Sequence, residues 1–295
     1  MATAREIRRR IRSIKNIAKV TGALEAVSAS RVQRAQSQAL ASRAYAEAAS
    51  SILEDLGRRR DGTFEHPLLT ERPDVKNITL ILITSDRGLA GPYNANVIRE
   101  AVEFEQAQKV PVRYITVGRK GRDLMVRRGA TLVAEFSNLP PAPSILDITP
   151  ITRAAVDDFL TGAVDEVHIA YTRFINTLRQ QPKIRRLLPL HSHTLVEEEQ
   201  PQGEPRAVYS FEPDPRSVLD EILPRFVELI LYQSLLEALA SEHSARMVAM
   251  RNATENANAL VDDLTLSYNK ARQLAITSEI LDIVGGAEAL AQAKS

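Results

Sequence analysis

The sequence predicts an α/β domain inserted into a long antiparallel coiled coil. Three observations carry this. All fifteen prolines lie between Pro67 and Pro224, so both ends of the 295-residue chain are free of them. Each end carries an apolar seam of period 3.5. The middle alternates β-branched runs with helical patterns, as a layered sheet requires. The chain therefore divides into an N-terminal coiled-coil helix over 1–66, a globular α/β domain over 67–212 and a C-terminal coiled-coil helix over 213–295.

The first helix has one glycine before Leu56, Gly22, and ends at Leu56-Gly57. Its seam runs Ile7, Ile11, Ile14, Ala18, Thr21, Glu25, Ser28, Val32, Ala35, Ala39, Ser42, Ala46, Ala49, Leu53 and Leu56. The alanine and serine in its middle let two backbones approach closely. Outside the seam its start is basic: Arg5, Arg8, Arg9, Arg10, Arg12, Lys15 and Lys19. Such a run is either a solvated face or a surface for nucleic acid, anionic lipid or an acidic protein. No aromatic residue precedes Tyr45, which argues against a single-strand binding platform.

A linker over Arg58–Pro73 leads to Ile78–Thr84, a continuous run rich in β-branched residues read as a buried parallel strand. It ends in Ser85-Asp86-Arg87-Gly88-Leu89-Ala90-Gly91, and a helix begins at about Asn94. Val112–Val117 and Thr131–Phe136 read as strands flanking a short helix over Lys120–Arg128, Ile151–Leu160 as a helix, and Glu166–Tyr171 as a fourth strand. This order gives a Rossmann-like, mainly parallel sheet. Residues 183–211 hold a further strand, an acidic loop at Glu197–Glu199 and an extended piece at Val208–Phe211.

Asp214-Pro215 reads as the start of the last helix and Gly285-Gly286 as its stop. That makes about 70 residues, roughly 105 Å at 1.5 Å per residue. Its seam runs from Phe226 through Leu229, Leu236, Ala240, His243, Met250, Ala257, Val261 and Leu264 to Ala275. Pro224 marks a kink or a break. This helix outreaches its partner by about 15 residues, roughly 20 Å. Over that overhang the large apolar residues leave the seam for Ile276, Ile280, Ile283 and Val284. An exposed apolar helix end folds back on its own chain or sits in another protein.

The net charge of +1 excludes a whole-chain electrostatic nucleic-acid binder, and the absence of cysteine excludes disulfides and thiol chemistry. No apolar run reaches the ~20 residues of a membrane span, and the helical pattern by Ile7 leaves no room for a targeting peptide. The 85–91 turn lies where phosphate binds in α/β folds, but its spacing is neither GxGxxG nor a Walker loop. Its glycines are read as serving the turn. His191 and His193 alternate on a strand without further ligands, and His243 is read as packed in the seam. Nothing assembles a catalytic set; no cofactor or metal is expected, and the residues point to a mechanical or scaffolding part.

Residues 4–20 (AREIRRRIRSIKNIAKV), SDRGLAGPYNANVIR from Ser85, and residues 241–290 from SEHSARMVAMRNATENANAL onward resemble the gamma subunit of F-type ATP synthases, in order along the whole chain. The resemblance implies a non-catalytic central shaft that couples a proton-driven c-ring to three catalytic beta subunits. The implied partners are alpha and beta, three of each, with epsilon and the c-ring. Nucleic acid is not among them, and membrane association comes through the complex only, on the cytoplasmic face of a bacterial membrane. It also implies beta contacts by Arg246, Gln273, Thr277, Glu279 and Leu24, a socket for Ile276, Ile280, Ile283 and Val284, and acidic beta loops facing Arg8, Arg9, Arg12 and Lys15. The family usually has Lys where Gly22 stands and Met where Leu24 and Ala26 stand. The competing expectations are a nucleotide-binding α/β protein with a helical dimerisation hairpin and a coiled-coil adaptor without a rotary role.

Overall fold

A computed structural model describes residues 3–58, 66–190 and 215–292. The element order is α1 (Ala4–Arg58), β1 (Ile78–Ile83), α2 (Tyr93–Ala107), β2 (Val112–Val117), α3 (Arg119–Arg128), β3 (Leu132–Phe136), α4 (Thr149–Leu160), β4 (Glu166–Phe174), β5 (Gln180–Leu188) and α5 (Pro215–Gln292). The chain divides into two compact units: Ser28–Arg246, and Met1–Val27 with Met247–Ser295.

In the first unit a five-stranded sheet has the order β3-β2-β1-β4-β5. β1 pairs in parallel with β2 and β4, β2 with β3, and β5 closes the edge antiparallel to β4. β1 is buried along its whole length because both sheet faces are covered. Its side chains alternate between two cores, as the strand pleat dictates. Leu80 and Leu82 pack with Val97, Ile98 and Met125 of α2 and α3. Ile81 and Ile83 pack with Ile151 and Phe159 of α4 and with Leu223, Phe226, Val227 and Ile230 of α5. α5 in this unit is therefore a core helix, buried well beyond a seam.

Close packing at the end of β1 fixes the next loops. Gly118 begins α3 at φ 97°, and a Cβ there would collide with the Thr84 carbonyl. The Thr84 hydroxyl accepts from the Gly121 amide at 2.9 Å. Ahead of β1, Arg72 donates to the Asp165 carboxylate, whose other oxygen accepts from the Lys76 and Asn77 amides. That pins the entry to β1 against the start of β4.

In the second unit α1 and α5 pair antiparallel. The Thr21 and Thr254 hydroxyls meet at 2.6 Å, and Arg251 binds Glu25 at 2.8 Å, so α5 numbers fall as α1 numbers rise. Ile7 and Thr21 of α1 and Met250, Ala257 and Val261 of α5 are buried. In α1 every seam residue from Ile7 to Ala39 is buried or half-buried, as the 3.5 period predicts.

One expectation is corrected and one is narrowed. α5 does not stop at Gly285-Gly286 but continues to Gln292. Two glycines cost a helix only about 1 kcal/mol each relative to alanine, and the next residues, Ala-Glu-Ala-Leu-Ala-Gln, are strong helix formers. Of the two readings of Pro224, a kink or a break, the break is excluded, since α5 runs through it. The readings placed on Asp214, His191, His193, Glu197–Glu199 and Val208–Phe211 lie outside the described residues.

Candidate functional site

The first candidate is the far end of α5. At equal rise, the Thr21–Thr254 and Glu25–Arg251 pairs place the first residue of α1 opposite about residue 271 of α5. From 272 to 285 every α5 residue is exposed. Ile276, Ile280, Ile283 and Val284 are 45–67% exposed, and Leu274 and Leu281 join them at 65% each. At 100° per residue these six side chains fill one half of the helix circumference, a face wider than the narrow seam that packs a single neighbouring helix. Gln273, Thr277 and Glu279 share this exposed stretch. The Thr277 hydroxyl donates to the Gln273 carbonyl at 2.9 Å and keeps its lone pairs for an incoming donor. On α1, Arg8, Arg9, Arg12 and Lys15 are exposed and Leu24 is half-buried.

The second candidate is the turn after β1. In sheets of this order, ligands bind at the carboxyl ends of the strands where the strand order reverses, and β1 and β4 meet there. Here the chain fills that place with its own groups. Asp86 accepts from the Arg119 amide at 3.1 Å and from the Asn138 amide at 2.9 Å. The start of α3, a natural phosphate cradle, thus already holds a carboxylate. Ser85 and Asn94 bond each other, and Ser85 also donates to the Arg87 carbonyl at 2.6 Å.

α5 closes the rest. Ser241 donates to the Thr172 carbonyl at 3.0 Å and Ser244 to the Thr177 carbonyl at 2.8 Å. Arg246, only 9% exposed, reaches the turn itself. Its Nε and Nη2 donate to the Gly88 carbonyl and Nη2 to the Arg87 carbonyl, each at 3.3 Å. Nη1 meets Glu242 at 2.7 Å and His243 Nδ1 at 3.4 Å. A guanidinium has five N–H donors, and here all five find acceptors inside this unit. Arg246, expected to contact a beta subunit, directs these donors at groups of its own unit.

Burial shapes the titration of this cluster. It raises the Glu242 carboxyl against the pull of Arg246. It lowers His243 to about 4, helped by the Arg246 and Arg31 charges. Tyr93, wholly buried beside Glu242, is raised well above its ordinary value. A neutral His243 accepts from Arg246 through Nδ1, which assigns the proton to Nε2. Sequence reasoning missed Glu242 and Tyr93. The i,i+4 spacing of Glu242 and Arg246 is a legible ion pair, but nothing in the sequence shows which carbonyls Arg246 meets. Among the described residues no three His, Asp or Glu side chains cluster as metal ligands, and no helix is long and apolar enough to cross a membrane.

Residues 3–290 match the family model described as ATP synthase. The chain is 50% identical to the ATP synthase gamma chain of Roseiflexus sp. (strain RS-1) over 99% of its own length and 100% of that chain. It belongs to the ATP synthase gamma chain family. The gamma chain of Dehalococcoides mccartyi (strain CBDB1) is 49% identical, again over 99% of this chain and the whole of that one. Among solved structures, a chain of the Euglena gracilis mitochondrial ATP synthase, seen by cryo-EM with OSCP, F1 and c-ring, superposes with a TM-score of 0.67. It covers 99% of this chain and 96% of its own at 20% identity, which shows a shared fold. The paired terminal helices and the inserted sheet are thus features of the family's architecture.

Proposed function

We propose that this chain is the rotating central shaft of a proton-translocating F-type ATP synthase. It turns with the membrane c-ring and drives three catalytic beta subunits through successive states. The observation that carries this is the exposed apolar end of α5, beyond the reach of α1. Such a surface needs a socket that another molecule supplies. A single asymmetric chain among three equivalent sites is what sequential coupling requires.

In this reading Ile276, Ile280, Ile283 and Val284 sit in a sleeve formed by three alpha and three beta subunits. Gln273, Thr277, Glu279 and Leu24 contact beta, and Arg8, Arg9, Arg12 and Lys15 face its acidic loops. The α/β unit meets epsilon and the c-ring. The chain carries no active site of its own, and it is peripheral, on the cytoplasmic face of the bacterial membrane. The nucleotide-binding alternative is disfavoured because Asp86 occupies the Arg119 and Asn138 amides that a phosphate would use, and the donors of Arg246 are already directed at carbonyls and Glu242.

Native mass spectrometry of the tagged chain, purified from its own cells, tests the proposal. The expected particle holds one copy with three each of two larger subunits. A homodimer without them overturns it.

A further inference from the structure

We infer that the Thr21–Thr254 pair, flanked by Glu25–Arg251, is a register key. It fixes the axial setting of α1 on α5, and with it the length of α5 that projects beyond α1. What the projection is for rests on the shaft reading; the key itself does not.

The apolar seam alone leaves this setting open. In the observed register Ile7 faces Tyr268, Ile11 faces Leu264 and Ile14 faces Val261. Move α1 one heptad towards the end of α5, and Ile7 faces Ala275, Ile11 faces Ala271 and Ile14 faces Tyr268. Apolar meets apolar again, and the 3.5-residue period is kept. Two pairings do not survive: Thr21 would face Val261, and Glu25 would face Asn258 in place of Arg251. The polar layer therefore carries the discrimination.

Its geometry suits that role. Thr21 is 9% exposed, and its hydroxyl oxygen lies 2.6 Å from that of Thr254. A distance that short holds a proton between the oxygens. One hydroxyl thus donates across the helix pair, and the other donates to a carbonyl of its own helix: Thr21 to Ile17 or Ala18 at 3.1 Å, or Thr254 to Met250 at 2.9 Å. A one-heptad shift leaves each hydroxyl its own carbonyl, but removes the bond between helices and sets the buried Thr21 oxygen against a valine. One turn along α1, Glu25 binds Arg251 at 2.8 Å. A polar layer in an apolar seam specifies register at some cost in stability. A heptad is about 10 Å along the axis, a large part of the exposed stretch. In the shaft reading the key sets how deep the apolar end sits in its socket. Thr21 and Thr254 are then positioning residues, acting through where they place the end of α5.

The chain has no cysteine, so introduced pairs report register without background. Ala18→Cys with Ala257→Cys reads the observed register. Ile7→Cys with Ala275→Cys reads the shifted one, because in the observed register those positions are one heptad, about 10 Å, out of step and beyond disulfide reach. Each pair is oxidised in the full-length chain, either otherwise unchanged or carrying T21V/T254V. The unchanged chain should close only the 18–257 bond. In T21V/T254V the 7–275 bond should rise several-fold at the expense of 18–257, while urea unfolding of the valine variant without cysteines comes no earlier, since valine suits an apolar seam. A merely structural role lowers stability and leaves the register alone. T21S/T254S keeps both hydroxyls and should return the original pattern. A 7–275 yield no higher than in the unchanged chain overturns the key. So does loss of the 18–257 bond without gain of 7–275, which is loosening and not a shift. If the valine variant does not fold, R251A decides by the same two bonds, and an unchanged pattern there overturns the key. Co-purification with the larger subunits separates the two readings. If the unchanged chain does not co-purify, the shaft reading fails and the cross-links still decide the key. If it does, and a T21V/T254V chain shown to be shifted co-purifies equally well, the key's role in placing the end of α5 fails.

Discussion

One helix behaves as two different materials. Between Leu223 and Arg246, α5 buries leucine, isoleucine, valine and even serine, histidine and arginine. Between 272 and 285 it buries nothing, although Leu274, Ile276, Ile280, Leu281, Ile283 and Val284 are as apolar as anything in the core. The helical backbone is continuous throughout. The difference lies in who supplies the neighbours. In the first stretch the chain's own sheet and α4 do; in the second no described residue does, and in the shaft reading the covering surface comes from another molecule. Helix formation and burial are therefore separate facts about a sequence, and an apolar helix with no internal neighbour points to a partner.

Truncating one isoleucine in each stretch puts that difference at most risk. Ile230 is fully buried in the sheet-facing core, so Ile230→Ala should cost about 2–5 kcal/mol in chemical denaturation of the isolated chain. Ile280 is 55% exposed, so Ile280→Ala should change that stability by no more than about 0.5 kcal/mol. In the complex the order reverses. Ile280→Asp should weaken assembly with the larger subunits, measured by co-purification, while the isolated chain unfolds as before. Normal assembly of Ile280→Asp would remove the argument for a socketed end.

The next effect concerns pH and is confined to the buried stretch. His243 has a folded pKa near 4 against an ordinary 6.5. The unfolded chain therefore binds the proton first as pH falls, and stability should drop between pH 6.5 and 4, by up to about 3 kcal/mol. Glu242 works with the opposite sign. Its raised pKa makes the folded state the better proton acceptor, which adds stability as pH falls. The Arg246 and Arg31 guanidinium groups act on both, favouring the carboxylate of Glu242 and the neutral ring of His243. The net slope is thus smaller than His243 alone implies. His243→Gln isolates it: urea unfolding at a series of pH values should show a shallower loss than wild type below pH 6.5. Equal slopes would mean that His243 is not held neutral in the fold.

How legible each feature is in the sequence depends on what it is made of. Ile78–Ile83 and Val112–Val117 are readable because a parallel strand covered on both faces is mostly apolar on both, here broken only by Thr79, Arg113 and Thr116. The seam of α1 is readable because its period is written in the residues that fill it. β5 is harder: it begins at Gln180, earlier than its apolar residues suggest, and its Gln-Gln-Pro-Lys opening is the polar composition of an edge strand. The end of α5 misleads because glycine stops a helix only where the next residues do not favour one, and here strong helix formers come next. Arg246 escapes the sequence for a different reason. Its acceptors are backbone oxygens distant in the chain, and a carbonyl leaves no mark in a sequence. The exposed stretch is the most legible site, since apolar residues that leave the seam declare their lack of an internal partner.

A last and subtler effect comes from α1. Gly22 lies one residue from Thr21, at the paired part of α1 and α5 in the second unit. A Cβ built on it meets no atom within 4 Å, so the site takes alanine without strain. Glycine inside a helix costs about 1 kcal/mol relative to alanine, mostly through the freedom it regains on unfolding. Gly22→Ala should raise the stability of the isolated chain by about that amount. Gly22→Lys should gain somewhat less, since lysine ranks just below alanine as a helix former, while adding a charge to an already basic face. Both variants stiffen the same turn, and only one alters electrostatics. If turnover of the assembled complex responds to Gly22→Lys alone, the charge at this level is what the neighbouring subunit reads. If both variants slow it equally, the shaft uses the looseness that glycine provides, and the paired stretch is tuned for compliance where the buried stretch of α5 is tuned for rigidity.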